Sequence, residues 1–420
     1  LGFVVYIMRY EIRSNWFAFP LQIRRKTAKR TLFQEFLTGT SYLTDRIVEK
    51  HRSKQKLVLF LDEIQWMAAG RGKLISLLKY YWDNRWKKKK IMLILCGSIA
   101  SFMVRKVIRS KALYGRITVE LLLKGLLPHE AAQLFEGRRS HEEILKYLLV
   151  FGGVPKYLEE VNLHHSFSQN MNRLCFSQSG ALAHEVDRIF YSQLRESKTY
   201  QRMVTLLKDR MRSFDEIAKN LRLASGGGLK TYIDNLEQAE IIRSFVPFDR
   251  PIKSKLKRYK LADEYLLFFF EYMEPNLETI NESGSKRLFE RLTGNGIETW
   301  FGFAFEHLCL KQASYLAEIM GFEEEVLRAS PYFERGDTQF QIDLLYRRAD
   351  KVITLCEIKH HNRTIDTKVI PEVEGKCSRF KPPRGYSIEK ALISLYGPND
   401  ALRDSQYFDR YVVLKNILFR

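Results

Sequence analysis

Long apolar runs are missing: no stretch of roughly 18 such residues exists, which excludes a hydrophobic spanning helix. Cysteine is scarce. Cys96, Cys175, Cys309, Cys356 and Cys377 are odd in number, far apart and never spaced Cys-x-x-Cys. That argues against a disulfide framework or a zinc site and for a reducing, cytoplasmic compartment with no membrane partner. The apolar start, residues 1–8, is short and lacks the signal-peptide order of charged, apolar and small-residue regions. Internal repeats and low-complexity tracts are absent too. Acid is in deficit: 49 Asp and Glu stand against 69 Lys and Arg, a net charge of +20. Such an excess points to a polyanionic partner, usually nucleic acid, ahead of an anionic membrane surface or a generally basic proteome.

What is present suits a globular protein with real cores, since 45% of residues are apolar and 28% charged. At about 100–200 residues per domain, 420 residues imply two to four domains. KLVLFLDE (56–63) and IMLILCGS (91–98) are short apolar runs suited to buried parallel strands, and a helical pattern (73–86) separates them. Residues 1–124 therefore read as one α/β unit. Residues 125–195 read as helical, broken at FGGVP (151–155). Residues 196–275 hold three short helices (200–210, 214–223, 229–239) and a hairpin (243–261), the plan of a winged helix-turn-helix. Residues 276–296, rich in Glu, Asn, Ser and Gly, read as a linker. Residues 297–420 form a last α/β unit, with a helix (297–320) and the strand pair 339–348 and 352–360.

LVLFLDE delivers Asp62 and Glu63 at a strand's carboxyl end, where open parallel sheets bind ligands. In P-loop ATPases the first acid orders Mg²⁺ and the second polarises the attacking water. The plain alternative is a helix start, with Asp62 as N-cap and Glu63 in the first turn. Ser98 ends the next strand, where such enzymes place a γ-phosphate sensor. The order FLDEIQW, CGS-IASFM, LYGR, LPHEA, GGVPKYL resembles prokaryotic ATPases of the signal-transduction branch of the AAA+ class, the archaeal-type ATPase family. The resemblance implies ATP and Mg²⁺ as cofactors. It implies a P-loop core over 1–124, a helical lid, a winged helix and a nuclease-like domain. It makes Asp62 and Glu63 the Walker B acids and Ser98 the sensor. Arg116 becomes a phosphate contact, or else a surface ion pair. Gly152, Gly153 and Pro155 would lie near the base, or else simply break a helix. A GxxxxGK[ST] loop, whose N–H groups cradle phosphate, is missing. GRGK (70–73) lies on the wrong side of the Walker B strand, and GGGLKT (226–231) opens a helix of the winged module. The expectation is a chain deficient in nucleotide binding, by truncation or by decay; its first residue, Leu1, suggests a fragment.

The wing, DRPIKSKLKRYK (249–260), is basic enough to lie along phosphate, but Asp234, Glu237 and Glu240 on the third helix do not favour a major-groove reader, and packing against protein is the alternative. A second chemical centre lies in FQIDLLYRRADKVITLCEIKH (340–360). With a turn at Asp350, positions summing to 700 face each other, so Asp343 opposes Glu357 and Lys359 shares their face. This is the PD-(D/E)XK arrangement: carboxylates bind Mg²⁺, and the lysine orients water or offsets charge. Glu306, on GFAFEHL (302–308), would add the helix-borne acid, and Gln341 lies within reach. The metal ligands expected are Glu306, Asp343 and Glu357, with Asp62 at the other centre. The sequence thus predicts an α/β multidomain protein: a truncated P-loop parallel sheet, helical lid, winged helix and restriction-endonuclease-like domain. Its expected function is that of an ATPase with a DNA nuclease-like domain, or a non-catalytic DNA- or protein-binding regulator. A homo-oligomer or a protein partner fits either.

Overall fold

Two short apolar runs start the first sheet. Leu57–Leu61 (β2) and Ile91–Gly97 (β3) pair in parallel, Leu57 opposite Ile91. The helix Lys73–Tyr81 makes the crossover that parallel neighbours need. The computed structural model describes residues 3–8, 57–62, 64, 73–97, 107–135, 137–193, 197–248, 250–251, 254–282, 287–334 and 340–419. They fall into two compact units, Leu1–Lys124 and Gly125–Arg420. No helix among the described residues is long and apolar enough to cross a membrane.

In the first unit, Phe3–Met8 (β1) lies between β3 and Ile117–Leu123 (β4), parallel to both, so the order is β2-β3-β1-β4. Leu74, Ile75 and Leu78 form the buried stripe of the crossover helix, as their helical spacing dictates. A π-helical turn, Trp82–Trp86, extends that stripe through two buried indoles. These side chains pack on Leu93 and Leu95 of β3. β2 differs from the buried strand expected. It ends the sheet among the described residues, and Val58 and Phe60 stand 50% and 52% exposed on one face. Only Leu57, Leu59 and Leu61 pack toward the core.

The second unit opens with helices. Ser140 caps His141–Phe151 by accepting the Glu143 N–H, and seven of that helix's eleven residues are buried. Three helices follow, Ser197–Leu206, Phe214–Leu221 and Gly227–Gln238, with an antiparallel sheet of Arg212–Ser213 (β5), Ile242–Phe245 (β6) and Arg258–Leu261 (β7), ordered β5-β7-β6. Ser213 and Glu216 form a reciprocal capping box at the middle helix.

The expected linker at 276–296 is corrected. Described residues there form helices Leu277–Glu282 and Leu288–Thr293, and Ile280, Leu288 and Phe289 are buried. Asn172 explains the docking: it accepts the Phe289 N–H and donates to Glu290. The lid, winged helix and last α/β segment, expected as separate domains, thus belong to one compact unit.

The last sheet is mixed. Val326–Glu334 (β8), Phe340–Arg348 (β9) and Val352–Lys359 (β10) are antiparallel neighbours; Ser387–Ser394 (β11) and Arg410–Val413 (β12) continue in parallel from β10. Helix Val369–Arg379 crosses from β10 to β11, and its Val369 and Val373 pack with Leu345, Ile353 and Leu355. Helix Gly296–Lys311 packs against β8, β9 and β10.

Candidate functional site

Asp62 stands exposed directly after β2. Glu63 and Ser98, expected beside it, lie outside the described residues. Arg116 is taken up by Asp83 of the π-helical turn: Nε and Nη2 donate to the two carboxylate oxygens at 2.9 and 2.7 Å. That hydrogen bonding holds the Asp83 carboxyl below the usual carboxylate range. Of the two readings of Arg116, the structure shows the ion pair.

Gly152, Gly153 and Pro155 have packing roles. Gly152 ends helix His141–Phe151 at φ 60°, ψ −157°, a backbone essentially reserved for glycine. A Cβ there would fall 2.5 Å from Glu264 Oε2, whose carboxylate is held by Lys311 Nζ at 2.5 Å. Pro155 opens the helix Pro155–Glu159. With Arg116 engaged and no GxxxxGK[ST] in the sequence, the residues present do not fit a phosphate cradle.

The second centre is built by strand register. Cys356 faces Leu344 and Leu355 faces Leu345, pairs that sum to 700. Carried one step past the last bonded pair, the same count sets Glu357 across from Asp343, and alternation puts both carboxylates and Lys359 on one face. Glu357 is 1% exposed. Lys376 Nζ donates to its Oε2 at 2.7 Å, and Lys359 Nζ lies 2.8 Å from Oε1. Oε1 receives no aligned hydrogen bond. Glu372 closes the array, accepting from Lys359 at 2.8 and 2.9 Å and lying 3.4 Å from Lys376. Gln341 donates to Asp343 Oδ1 at 3.1 Å.

The electrostatics follow from burial. Burial raises the Glu357 and Asp343 carboxyls above their usual range, and the Lys376 and Lys359 charges oppose it. Glu306, on helix Gly296–Lys311, is pushed up to about 7, first by burial and then by the Asp343 charge. Burial works against the charges of Lys359 and Lys376, but Glu357 outweighs it and raises both.

Sequence reasoning missed Lys376 and Glu372. Their i, i+4 spacing on one helix was visible, but which sheet face that helix covers was not. Sequence also gave no sign of a groove of about 1170 Å³ within the second unit. Arg210, Arg258 and Lys260 are among its lining residues, with Phe303, Glu306 and Asp343.

The carboxylate oxygens are of the type a hard divalent cation takes, but Lys359 Nζ already lies 2.8 Å from the Glu357 Oε1 that has no aligned hydrogen bond. The array is not a formed ligand set: among the described residues no three His, Cys, Asp or Glu side chains are gathered for a metal. The two lysines hold Glu357 instead.

Residues 21–161 match an ATPase domain predominantly from Archaea, and residues 269–370 match a family of archaeal and bacterial proteins of unknown function. The chain is 28% identical over 310 residues to an uncharacterized protein of Methanocaldococcus jannaschii, covering 73% of this chain and 68% of that one. Among solved structures it is similar to the Walker-type ATPase of Pyrococcus abyssi, at 19% identity and TM-score 0.38, covering 58% of this chain and 68% of that chain. It is also similar to the ORC2 protein of Aeropyrum pernix, at 15% identity and TM-score 0.32, covering 63% of this chain and 72% of that chain. The chain is thus a mixed α/β multidomain protein with an archaeal-type, P-loop ATPase-like region, a class that generally binds ATP with Mg²⁺. Its C-terminal mixed sheet overlaps the second family.

Proposed function

We propose that the C-terminal unit is a divalent-metal-dependent nuclease-type site acting on the phosphodiester backbone of DNA, carried on a chain with an archaeal-type ATPase region. The observation that supports this most is the β9–β10 register, whose bonded pairs end at Cys356 and Leu344; one step further on, Asp343 would lie across from Glu357, which Lys359 approaches at 2.8 Å. Glu306 approaches closely enough for the Asp343 charge to raise its carboxyl. Asp343, Glu357 and Glu306 would hold the cation, whose chemistry is to polarise phosphate and lower the pKa of water. Lys359 Nζ would orient the attacking water, which forms the new P–O bond as the ester P–O bond breaks. The leaving oxygen would take its proton from solvent water, since a Glu306 carboxylate that holds the cation is ionised. Arg210, Arg258 and Lys260 offer cations to the strand on either side.

The test is nicking of plasmid DNA with Mg²⁺ or Mn²⁺. Cleavage by the wild-type chain that disappears in Asp343→Ala supports the reading, and Mg²⁺-dependent cleavage that survives this change sinks it. One observation favours a second reading, a site that grips DNA without cutting: both Glu357 oxygens already lie beside a lysine. DNA binding that falls steeply with salt, with no cleavage under any divalent cation, would select it.

A further inference from the structure

The groove of the second unit holds two cations short of partners. Arg258 and Lys260 share one face of β7, while Tyr259 and Leu261, on the other, are buried. Arg258 lies 3.5 Å from Glu216, but its buried Nη1 has no aligned hydrogen bond. Lys260 is half-buried and has no hydrogen bond or ion pair among the described residues. Burial works against its charge, and the Glu306 charge favours it. A cation held in this way carries a desolvation cost that an anionic group would offset. The other lining charges leave that gap open. Arg210 and Arg250 stand exposed with Asp209 and Glu334, and burial pushes Asp343 and Glu306 toward their neutral forms. The same groove exposes two rings. Phe303 is 65% exposed and lies one helical turn before Glu306. Phe333 is 48% exposed and pairs across β8–β9 with Gln341, which donates to Asp343. Neither ring meets another aromatic ring among the described residues. The walls are fixed: Arg243 of β6 donates to Leu310 O and Lys311 O, at the end of the helix that carries Phe303. Arg328 of β8 donates to the carbonyls of Pro247 and Arg250. The groove is therefore preformed, and its 1170 Å³ exceeds the small-ligand range of about 300–1,000 Å³.

We propose that this groove binds single-stranded DNA, with bases stacked on Phe303 and Phe333 and phosphates on Arg258 and Lys260. Cations beside open rings match an unpaired strand, in which every base offers a face and every linkage a charge. A duplex keeps its base faces in its own stack, so the rings would gain nothing from it. The inference rests on the nucleic-acid part of the reading above and names its substrate; binding itself needs neither metal nor cleavage.

The experiment measures the anisotropy of a labelled DNA oligonucleotide of about 16 nucleotides, alone or annealed to its complement, against the full chain in a chelator. The single strand should bind roughly tenfold more tightly than the duplex. Phe303→Ala and Phe333→Ala should each weaken the single strand by roughly tenfold and leave the duplex unchanged, and Phe303→Trp should keep the affinity. Both rings are exposed, so neither change threatens the fold. Lys260→Met should weaken the single strand and lower the slope of log affinity against log salt by about 0.7, the mark of one phosphate contact. Arg258→Gln should do the same and covers the case in which Lys260→Met fails to fold. A duplex bound as tightly as the single strand, or affinities untouched by both Phe variants, overturns the inference and leaves a nuclease-type site for duplex DNA standing. An unchanged salt slope in both cation variants overturns the phosphate contacts. Single-strand binding with these losses, but no cleavage under any divalent cation, overturns the cutting alone and supports the ligand named here. No binding of either form overturns this inference and the nucleic-acid reading together.

Discussion

Leu126 and Gly153 touch through their backbones. The Leu126 N–H donates to Gly153 O at 2.6 Å, and a Cβ on residue 153 would fall 2.0 Å from Leu126 O. The obstacle is backbone and has no flexible end to move aside. Gly153→Ala should therefore lower stability by about 3 kcal/mol, the upper part of the overpacking range, in urea melts. Gly152→Ala should lower it by about 2 kcal/mol, because it strains the backbone and meets the Glu264 carboxylate. A glycine pair kept only for nucleotide contact would leave both melting midpoints unchanged.

Phe289 tests the helical nature of residues 276–296. It is 5% exposed and makes edge contacts with Phe167 and Phe176 at 5.7 and 5.6 Å. Phe289→Ala should cost about 3–5 kcal/mol, as for other buried aromatics. A true linker residue would change the urea midpoint by almost nothing.

The linker error shows where sequence stops being informative. Polar composition at 276–296 hid a sparse buried apolar set, Ile280, Leu288 and Phe289, and the partners of Phe289 lie more than a hundred residues away at Phe167 and Asn172. Local composition carries no record of such partners. The β9–β10 register was legible because a tight turn at Asp350 and strict alternation determine it by counting. Lys376 was not, because the same count says nothing about which helix covers the face. β2 was misjudged for a related reason: an apolar run gives strand type but not position in the sheet, and Val58 and Phe60 stand exposed at its edge.

Glu306 should leave a mark on stability against pH in a chelator. Its carboxyl sits at about 7 when folded, raised from an ordinary value of 4.5. A folded state that holds this proton more tightly binds more protons than the unfolded chain between those values. Stability is then fully present below about pH 4.5 and falls as pH rises toward 7. Allowing for solvent screening of a partly exposed group, the loss should be about 1–2 kcal/mol. Glu306→Gln cannot ionise, so its stability should be flatter from pH 5 to about 7.5 and higher at the alkaline end. Parallel curves for the two proteins in urea melts would show that Glu306 titrates normally.

The first centre makes the opposite kind of prediction, an absence of binding with a reason for it. Asp62 stands at a strand's carboxyl end, but no GxxxxGK[ST] supplies the N–H cradle and lysine that phosphates need. Arg116, the other candidate for phosphate, already spends both donors of its fork on Asp83. Calorimetry with ATP and Mg²⁺ should therefore give no binding heat for this chain. Arg116→Ala should instead reveal a structural residue, lowering stability by up to about 1 kcal/mol, in keeping with a half-exposed ion pair. That loss should shrink in 1 M salt, where the Debye length is roughly 3 Å. Micromolar ATP binding that vanishes in Asp62→Ala would overturn this account and put a working phosphate site in the first unit, built from residues other than the standard loop.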